Sequence, residues 1–245
     1  MLNPNERIDD LHRNGYRLIQ NPAEFCFGID AVILSGFARV KRGECVLDLG
    51  TGTGVIPILL EAKTQGKHFV GLEIQPQMAD MARRSVALNG LEGKITIIEG
   101  DMRHGGGKPP PYGQLEFSVV TCNPPYMNAG GGLLNPDDSK AIARHELRCT
   151  LEDVINAAHN ALKPHGRFCM VHRPQRLTDI FVLLRQYGME PKRLRMVHPS
   201  DGKPPNLVLV EAVKGGKPLL KTEPPLVVYK SGGGYTDEIL RIYND

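Results

Sequence analysis

The sequence lacks the features that would place the protein in a membrane, outside the cell or around a metal ion. No apolar run approaches the length that crosses a bilayer, and the first seven residues are too polar for a signal peptide. The five cysteines are odd in number and scattered, and no two form a C-x-x-C pair, so neither a disulfide framework nor a zinc site is indicated. These absences predict a reduced, soluble, cytoplasmic protein without a metal.

Two common phosphate-binding motifs are missing as well. There is no G-K-[ST] of a P-loop, and the G-x-G-x-x-G of dinucleotide dehydrogenases fails because Val55 stands where that motif needs glycine. The chain instead has D-x-G-x-G-x-G, running from Asp48 through Gly50, Gly52 and Gly54, between an apolar strand and a helix. Glycines let a backbone approach a ligand closely, and a helix N-terminus favours a carboxylate, so this loop is a candidate ligand site.

Two further acids follow the next two predicted strands. Glu73 lies 23 residues after Gly50, about the spacing of a carboxylate that accepts both hydroxyls of a ribose. Asp101 follows the third strand and can accept from an adenine amino group. Together with Asp48, these acids end three successive strands at the edge where open α/β sheets bind ligands. A cap or turn role explains any one of them, but the set of three predicts a nucleoside-containing ligand.

The next strand ends in a candidate acceptor site. The apolar, β-branched run Phe117–Cys122 predicts a buried strand, and it stops at Pro124-Pro125, where neither proline can donate to a sheet. The Asn123 side-chain oxygen and the Pro124 carbonyl can accept both N–H groups of a nucleobase amine, and Tyr126 can stack on the base. The alternative is a proline-terminated strand with an incidental asparagine. The upstream motifs favour the acceptor site.

The segments on either side of this core carry further expectations. Residues 1–40 are predicted to be a helical extension that completes the ligand site, with Asp30 as the N-cap of a short apolar helix. Residues 41–245 form the main domain, with a C-terminal extension from about residue 215. Residues 128–139 form a long loop that either closes over substrate or is disordered, and His145 and Glu146 either contact substrate or anchor this loop.

Positive charge is concentrated in the second half of the chain, although the formal net charge is only +3. Residues 163 to 221 contain twelve Lys or Arg against four Asp or Glu, a local net charge of +8. Lys192, Arg193 and Arg195 are crowded into one predicted strand. Such a basic half suggests a polyanionic partner such as RNA, and the alternative is an ordinary solvated face.

Taken in order, these motifs resemble a known family. Asp48-Leu-Gly-Thr-Gly-Thr-Gly54, Glu73, Asp101 and Asn123-Pro-Pro-Tyr126 resemble the amine-methylating class I S-adenosylmethionine-dependent methyltransferases. Shorter segments at 25–30, 143–146, 171–174, 191–195 and 225–229 resemble the bacterial tRNA1(Val) adenine-37 N6-methyltransferase-like family. The resemblance implies a three-layer, Rossmann-like α/β sandwich with a mainly parallel seven-stranded sheet whose last strand is antiparallel. The apolar runs 194–198 and 207–213 independently suggest an antiparallel pair.

The resemblance also implies the ligands and their contacts. The cofactor would be S-adenosylmethionine and the product S-adenosylhomocysteine, with the glycine loop around the methionine part, Asp48 near its ammonium group and Glu73 on the ribose. The cofactor residues would be Phe27, Asp30, Asp48, Gly50, Thr51, Gly52, Gly54, Glu73, Ile74, Asp101 and Met102. The target base would be held by Asn123, Pro124, Pro125 and Tyr126, and the remaining substrate contacts would come from His145, Lys192, Arg193 and Arg195.

The implied reaction is direct, in-line transfer of a methyl group to adenine N6 of a tRNA anticodon-loop nucleotide, without a covalent enzyme intermediate. Three alternatives stay open at this point. They are a methyltransferase for the glutamine side-chain nitrogen of release factors, a guanine-N2 methyltransferase for rRNA, and a non-catalytic RNA-binding protein that keeps the fold. The first carries a sizeable helical N-terminal domain, whereas about forty residues precede Cys45 here. The sequence leaves the oligomeric state open, with a monomer as the default.

Overall fold

A mixed α/β architecture fills the part of the chain that the computed structural model describes, namely residues 2–24, 26–103, 112–113, 115–124 and 149–244. A single turn of 3-10 helix spans Pro174–Arg176. The elements in chain order are β1 (Arg7–Asp10), β2 (Arg17–Gln20), α1 (Ile29–Phe37), β3 (Cys45–Leu49), α2 (Val55–Lys63), β4 (His68–Glu73), α3 (Pro76–Leu88), β5 (Ile95–Glu99), β6 (Phe117–Cys122), α4 (Leu151–Ala161), β7 (Leu162–His172), α5 (Leu177–Gln186), β8 (Met189–Ser200), β9 (Leu207–Lys214), β10 (Lys221–Thr222), β11 (Leu226–Tyr229) and α6 (Asp237–Asn244).

The central sheet is mainly parallel, as the sequence predicts. Its core order is β5-β4-β3-β6-β7-β9-β8, and strands β3 to β7 all run parallel. Strand β9 is antiparallel to both of its neighbours, which confirms the antiparallel pair expected at 194–198 and 207–213. Within the described residues the sheet has nine strands where seven were expected, because β10 and β11 both pair in parallel with the outer side of β8.

Helices cover both faces of this sheet, and each face has its own core. Neighbouring residues of β6 show the division, since Val119 packs with the α1, α2 and α3 side whereas Val120 packs with α4 and α5. Burial on both faces explains why these strands read as continuous apolar runs in the sequence. Within the described part of the chain, no helix combines the length and the apolar composition needed to cross a bilayer.

Residues 1–40 are helical only in their last part, which corrects the expected helical extension. Strands β1 and β2 form a separate antiparallel hairpin. The hairpin packs on α3, because Ile19 contacts Met78 and Met81 and its backbone N–H donates to the Ser85 hydroxyl at 2.9 Å. These contacts are distant in sequence, so the local pattern could not indicate the hairpin.

Helix α1 lies where the sequence predicts it, but its cap differs. The N-cap is Gly28, and Asp30 lies in the first helical turn instead of at the cap. An acid in the first turn is favoured there because the N-terminal end of a helix carries partial positive charge.

The C-terminal extension is an integral part of the domain. Helix α6 lies so close to α1 that a Cβ on Gly36 would be 2.7 Å from Cγ2 of Ile242. At the carboxyl end of α6, the Lys63 ammonium donates to the Ile242 carbonyl at 2.6 Å and to the Ser35 hydroxyl at 3.1 Å. Burial, with a contribution from the charge of Arg13, lowers the pKa of Lys63 to about 8. The last helix is therefore anchored to both α1 and α2.

Candidate active site

The three predicted acids lie on three adjacent parallel strands and at one edge of the sheet. Asp48 is in β3, Glu73 ends the neighbouring strand β4, and Asp101 follows β5 by two residues. The carboxyl ends of parallel strands meet at the edge where open α/β sheets bind their ligands. The structure thus brings together the acids that the sequence singled out.

The glycine loop after β3 requires its glycines. Gly50, Gly52 and Gly54 all have left-handed backbone conformations, with φ of 68°, 57° and 86°. Such values strain any residue that has a Cβ atom. A Cβ on Gly54 would also lie 3.3 Å from the Cβ of Ala82 in α3. The loop is therefore fixed in a tight path close to α3, with its backbone open to close approach by a ligand.

The Glu73 carboxylate fastens this loop to the end of β4. Its two oxygens accept the backbone N–H groups of Gly52 and Gln75, each at 2.9 Å, and the residue is only 4% exposed. A carboxylate has about four lone-pair sites, so Glu73 keeps acceptor capacity for two ribose hydroxyls. The sequence indicated the ribose role, but not the link to Gly52, which depends on the fold of the loop.

Asp48 is a buried carboxylate with one oxygen in use. The Thr121 hydroxyl of β6 donates to Oδ1 at 2.7 Å, and among the described residues Oδ2 has no hydrogen-bond partner. Burial raises the pKa of the Asp48 carboxyl to about 7, and this outweighs the opposing effect of the Thr121 hydrogen bond; the charge of Glu73 also raises it. A cation placed at Oδ2 would favour the ionised form.

This raised pKa predicts a pH-dependent stability that Asp48→Asn removes. In the unfolded chain the carboxyl titrates near 3.8, so between that pH and about 7 the folded state binds more protons and the free energy of unfolding falls as pH rises. Asparagine keeps an acceptor for Thr121 but cannot ionise. We expect Asp48→Asn to be more stable than the unsubstituted, cofactor-free protein by ~2–4 kcal/mol at pH 8, and by much less at pH 4.5.

Urea denaturation at the two pH values measures this difference. Asp201→Asn, which replaces an exposed acid, serves as the matched control and should change the free energy of unfolding by less than about 0.5 kcal/mol at both. An equal effect of Asp48→Asn at pH 4.5 and pH 8 would show that Asp48 ionises normally.

The residues expected to surround an adenine are two apolar side chains, Ile74 and Met102, and one acid, Asp101. Ile74 is 43% exposed directly after Glu73, and the Met102 Cε atom lies 3.9 Å from the position of a Cβ on Gly50. Asp101 is paired with Arg103, whose Nη2 lies 2.6 Å from Oδ2. Arg103 was not predicted from the sequence. A base amino group that binds Asp101 would share its carboxylate with the Arg103 guanidinium.

Asn123 and Pro124 leave the sheet next to the glycine loop. The register pairs Cys122 with Leu49, so Gly50 and Asn123 continue from adjacent strands about 5 Å apart. Both Asn123 and Pro124 are half-buried. Pro125 and Tyr126 of the same motif lie outside the described residues, as do the loop 128–139, His145 and Glu146.

His172 is a residue at this edge that sequence reasoning did not assign. It ends β7, and the pairing of Cys122 with Met170 brings it level with Pro124. Its Nδ1 atom accepts the Arg173 N–H at 2.8 Å, and burial, with a contribution from the charge of Arg176, lowers its pKa to about 4. A neutral imidazole therefore lies beside the proline corner at pH 7.

The cluster of basic residues in β8 has a different place. Arg193 is buried between Glu211 and Glu223, at 2.7 and 2.9 Å, with its guanidinium carbon 4.1 Å above the Phe37 ring. Its partner Glu211 is level with Cys169 and Thr121, so Arg193 lies two residues below the level of Asn123 and three strands away from it. Arg193 therefore holds the C-terminal extension to the sheet and does not contribute to a solvated basic face.

The two neighbouring basic side chains also contact this extension. The Lys192 ammonium donates to the carbonyls of Lys217 and Pro218 at 2.9 and 3.3 Å. Arg195 pairs with Glu238 at 2.6 Å and donates to the Pro224 carbonyl at 2.8 Å. All three basic residues of β8 that were predicted to contact substrate therefore bind the C-terminal extension.

Arg193→Ala is therefore expected to destabilise the protein by about 3–5 kcal/mol, because it leaves two largely buried carboxylates without their counter-charge. Lys192→Ala, the matched control one residue away, should cost less than about 1 kcal/mol. Urea denaturation of both variants measures this contrast. If the Arg193→Ala protein were as stable as the unsubstituted protein but bound RNA more weakly, Arg193 would be a substrate contact as the sequence predicted.

Known proteins align with most of this chain and share its architecture. The chain is 29% identical to a tRNA1(Val) (adenine(37)-N6)-methyltransferase of Porphyromonas gingivalis over 224 residues, covering 88% of this chain and 86% of the relative. It is 26% identical to the protein of that name from Aeromonas salmonicida, with coverage of 88% and 87%. The crystal structure of a predicted O-methyltransferase from Agrobacterium tumefaciens superposes with a TM-score of 0.70 at 23% identity, covering 87% of this chain and 95% of that one. At that identity the superposition shows the shared fold.

The strand order, the glycine loop and the acids at successive strand ends define a Rossmann-like fold of the class I methyltransferase type. Residues 40–187, more than half of the chain, match the family model described as a methyltransferase domain. The chain belongs to this methyltransferase domain family, and the protein is a methyltransferase.

Proposed function

We propose that this methyltransferase uses S-adenosylmethionine to methylate the exocyclic N6 amine of an adenosine in a tRNA anticodon loop. The observation that carries the proposal is the exit of Asn123 and Pro124 from β6 directly beside Gly50 of the ligand loop. The relatives from Porphyromonas gingivalis and Aeromonas salmonicida, which bear the name of a tRNA adenine-N6 methyltransferase, support the choice of acceptor. A tRNA substrate also favours a cytoplasmic location.

The residues at the strand ends fit this cofactor. Asp48 Oδ2, buried and without a hydrogen bond in the described part of the chain, suits the ammonium group of the methionine part. Glu73 retains acceptor capacity for the ribose hydroxyls, and the exposed Ile74 offers an apolar surface to the adenine. Phe27 and Asp30 are proposed to complete the site from the N-terminal side. When bound, the cofactor supplies an electrophilic methyl group on a sulfonium.

The chain's own part in the reaction is to position a poor nucleophile. The lone pair of an exocyclic amine is delocalised into its ring, and it becomes available as the nitrogen turns tetrahedral. The Asn123 side-chain oxygen and the Pro124 carbonyl accept the two N–H groups in that geometry and orient the lone pair along the line of transfer. The amine becomes acidic once it is alkylated, so it loses its proton without a strong general base.

Labelled cofactor identifies the class of acceptor. The protein is incubated with radiolabelled S-adenosylmethionine and either unmodified tRNA transcripts, unmodified rRNA or a release factor, each in a separate reaction. We expect label in tRNA alone, and we expect it to disappear when the target adenosine of the transcript is replaced by guanosine. Label in rRNA or in the release factor would assign the enzyme to one of the other acceptors.

A further inference from the structure

Three tyrosines of the C-terminal extension form a continuous ring stack, here called the tyrosine stack. The Tyr229 and Tyr235 rings lie 5.4 Å apart at 21°, and the Tyr235 and Tyr243 rings lie 5.6 Å apart at 24°. Tyr229 and Tyr235 also pair through their backbones, as a bridge closed by a turn at residues 230–234. Aromatic pairs prefer offset stacking at such separations.

The tyrosine stack has one closed end and one open end. Tyr235 and Tyr243 are partly buried and pack against the core beneath α1 and α6. Tyr229 remains 43% exposed although Tyr235 covers part of it. Another flat group can stack on the exposed Tyr229 ring at a similar spacing. Because Tyr235 already holds that ring in place, Tyr229 would lose little conformational entropy.

The register places Tyr229 above the edge of the sheet that carries the active site. Tyr229 pairs in parallel with Ser200, the last residue of β8. Val208 of β9 pairs with His172 on one side and with Met196 on the other. Strand β8 continues four residues beyond that level, so β8 and β11 project about 13 Å past the end of β7. They form a wall beside the proposed acceptor site.

Four strand spacings separate β6 from β11, a lateral distance of about 19 Å between the Asn123 corner and this wall. Whatever stacks on Tyr229 therefore lies several nucleotides away from a base held at Asn123. At the ends of β8 and β11, a cavity of about 340 Å³ is lined by His198, Ser200, Lys203, Pro225 and Val227, among others. Its size is at the lower end of small-molecule sites.

The charges around the tyrosine stack nearly cancel. Lys230 pairs with Asp237 at 2.7 Å, where the charge of Arg241 also acts, and Arg195 pairs with Glu238. The wall therefore offers little net attraction to a phosphate backbone. Its distinctive feature is an open aromatic face, which suits an unpaired base because every nucleobase has a π face.

We propose that Tyr229 stacks on an unpaired base of the RNA substrate, several nucleotides from the base that is methylated, and thereby fixes the RNA on the enzyme. The inference rests on the proposed function to the extent that it takes the substrate to be RNA. Sequence-specific recognition of RNA favours single-stranded loops, whose bases can stack on aromatic side chains. An anticodon loop offers such bases at the required separation.

The absence of tryptophan from this chain allows a direct test. Tyr229→Trp introduces a single indole, and we expect unmodified tRNA transcript to quench its fluorescence saturably through base stacking. Tyr187→Trp is the matched control, because Tyr187 precedes the start of β8 at the opposite edge of the sheet. Its fluorescence should change little over the same titration.

Steady-state kinetics provide the second readout. Tyr229→Ala should raise the KM for tRNA about tenfold or more, the loss expected for one stacked base, while kcat and the Kd for S-adenosylmethionine stay within twofold. Tyr229→Phe keeps the ring and should behave like the unsubstituted enzyme. Tyr229→Leu keeps an apolar side chain without a π face, so it should fold normally, as its melting temperature will show, and yet share the KM defect.

The outcomes separate this inference from the proposed function. If the Tyr229→Trp enzyme methylates tRNA but tRNA does not quench its indole fluorescence, the stacking inference is overturned while the proposed function stands. The same holds if Tyr229→Leu has an unchanged KM for tRNA. If tRNA quenches the indole but no RNA is methylated, the function fails and the stacking inference stands. A response to a release factor and none to RNA would overturn both.

Discussion

Asn123→Ala is expected to lower kcat for methyl transfer by about a hundredfold or more while leaving the Kd for S-adenosylmethionine unchanged. Removing one preorganised hydrogen-bonding group that acts on developing charge typically costs this much. Asn123 follows β6 beside Gly50 and lies outside the loop proposed to hold the cofactor, and its side-chain oxygen is the proposed acceptor for the reacting amine. Single-turnover kinetics and calorimetry measure the two quantities separately.

A matched substitution separates this effect from a general loss of structure. Asn160→Ala replaces an exposed asparagine of α4 whose side chain contacts only its helix neighbours Asn156 and His159, among the described residues, and it should leave both kcat and Kd unchanged. Equal losses of cofactor affinity and of kcat in Asn123→Ala would show that Asn123 supports the cofactor, not the acceptor.

Glu73→Ala should weaken S-adenosylmethionine binding about a hundredfold, because it removes two kinds of interaction at once. The carboxylate accepts the N–H groups of Gly52 and Gln75, and it is the proposed acceptor for the ribose hydroxyls. Hydrogen bonds to a charged group contribute about 1.5–3 kcal/mol each, so the cofactor-free protein should also lose stability. Calorimetry and urea denaturation measure the two losses.

The sheet offers a closely matched control for this prediction. Glu99 of β5 pairs directly with Glu73 in the register, yet its side chain is 45% exposed and lies 3.8 Å from Arg83. Glu99→Ala should therefore leave cofactor binding unchanged. Glu73→Gln keeps one acceptor oxygen and should fall between Glu73→Ala and the unsubstituted enzyme. An unchanged Kd in Glu73→Ala would contradict the ribose assignment.

The sequence predicted the parts of the fold that depend on local pattern. An apolar run that stops at an acid or at a proline pair indicates both a strand and its carboxyl end. Glu73 and Asn123 therefore lie at the strand ends where they were predicted. The hairpin β1–β2 and the cap at Gly28 were missed. The hairpin depends on packing against α3, and the cap differs from the predicted one by two residues.

The part of the site that the sequence could not show depends on contacts between distant strands. The charge count around Arg193 suggested a surface, but Glu211 and Glu223 come beside it only through β9 and the C-terminal extension. The tyrosine stack likewise joins residues of β11 and α6, which the sequence indicated only as part of a C-terminal extension. Charge and aromatic content are visible in a sequence, whereas their burial and stacking follow from topology.

The position of the transferred methyl group tests the central claim most directly, namely that the Asn123-Pro124 corner presents an exocyclic amine to the methyl donor. The measurement is mass spectrometry of nucleosides from a tRNA transcript that the enzyme has methylated with isotopically labelled cofactor. The predicted product is N6-methyladenosine. A methyl group on a ribose oxygen, on a ring nitrogen or on a carbon atom would contradict the assignment.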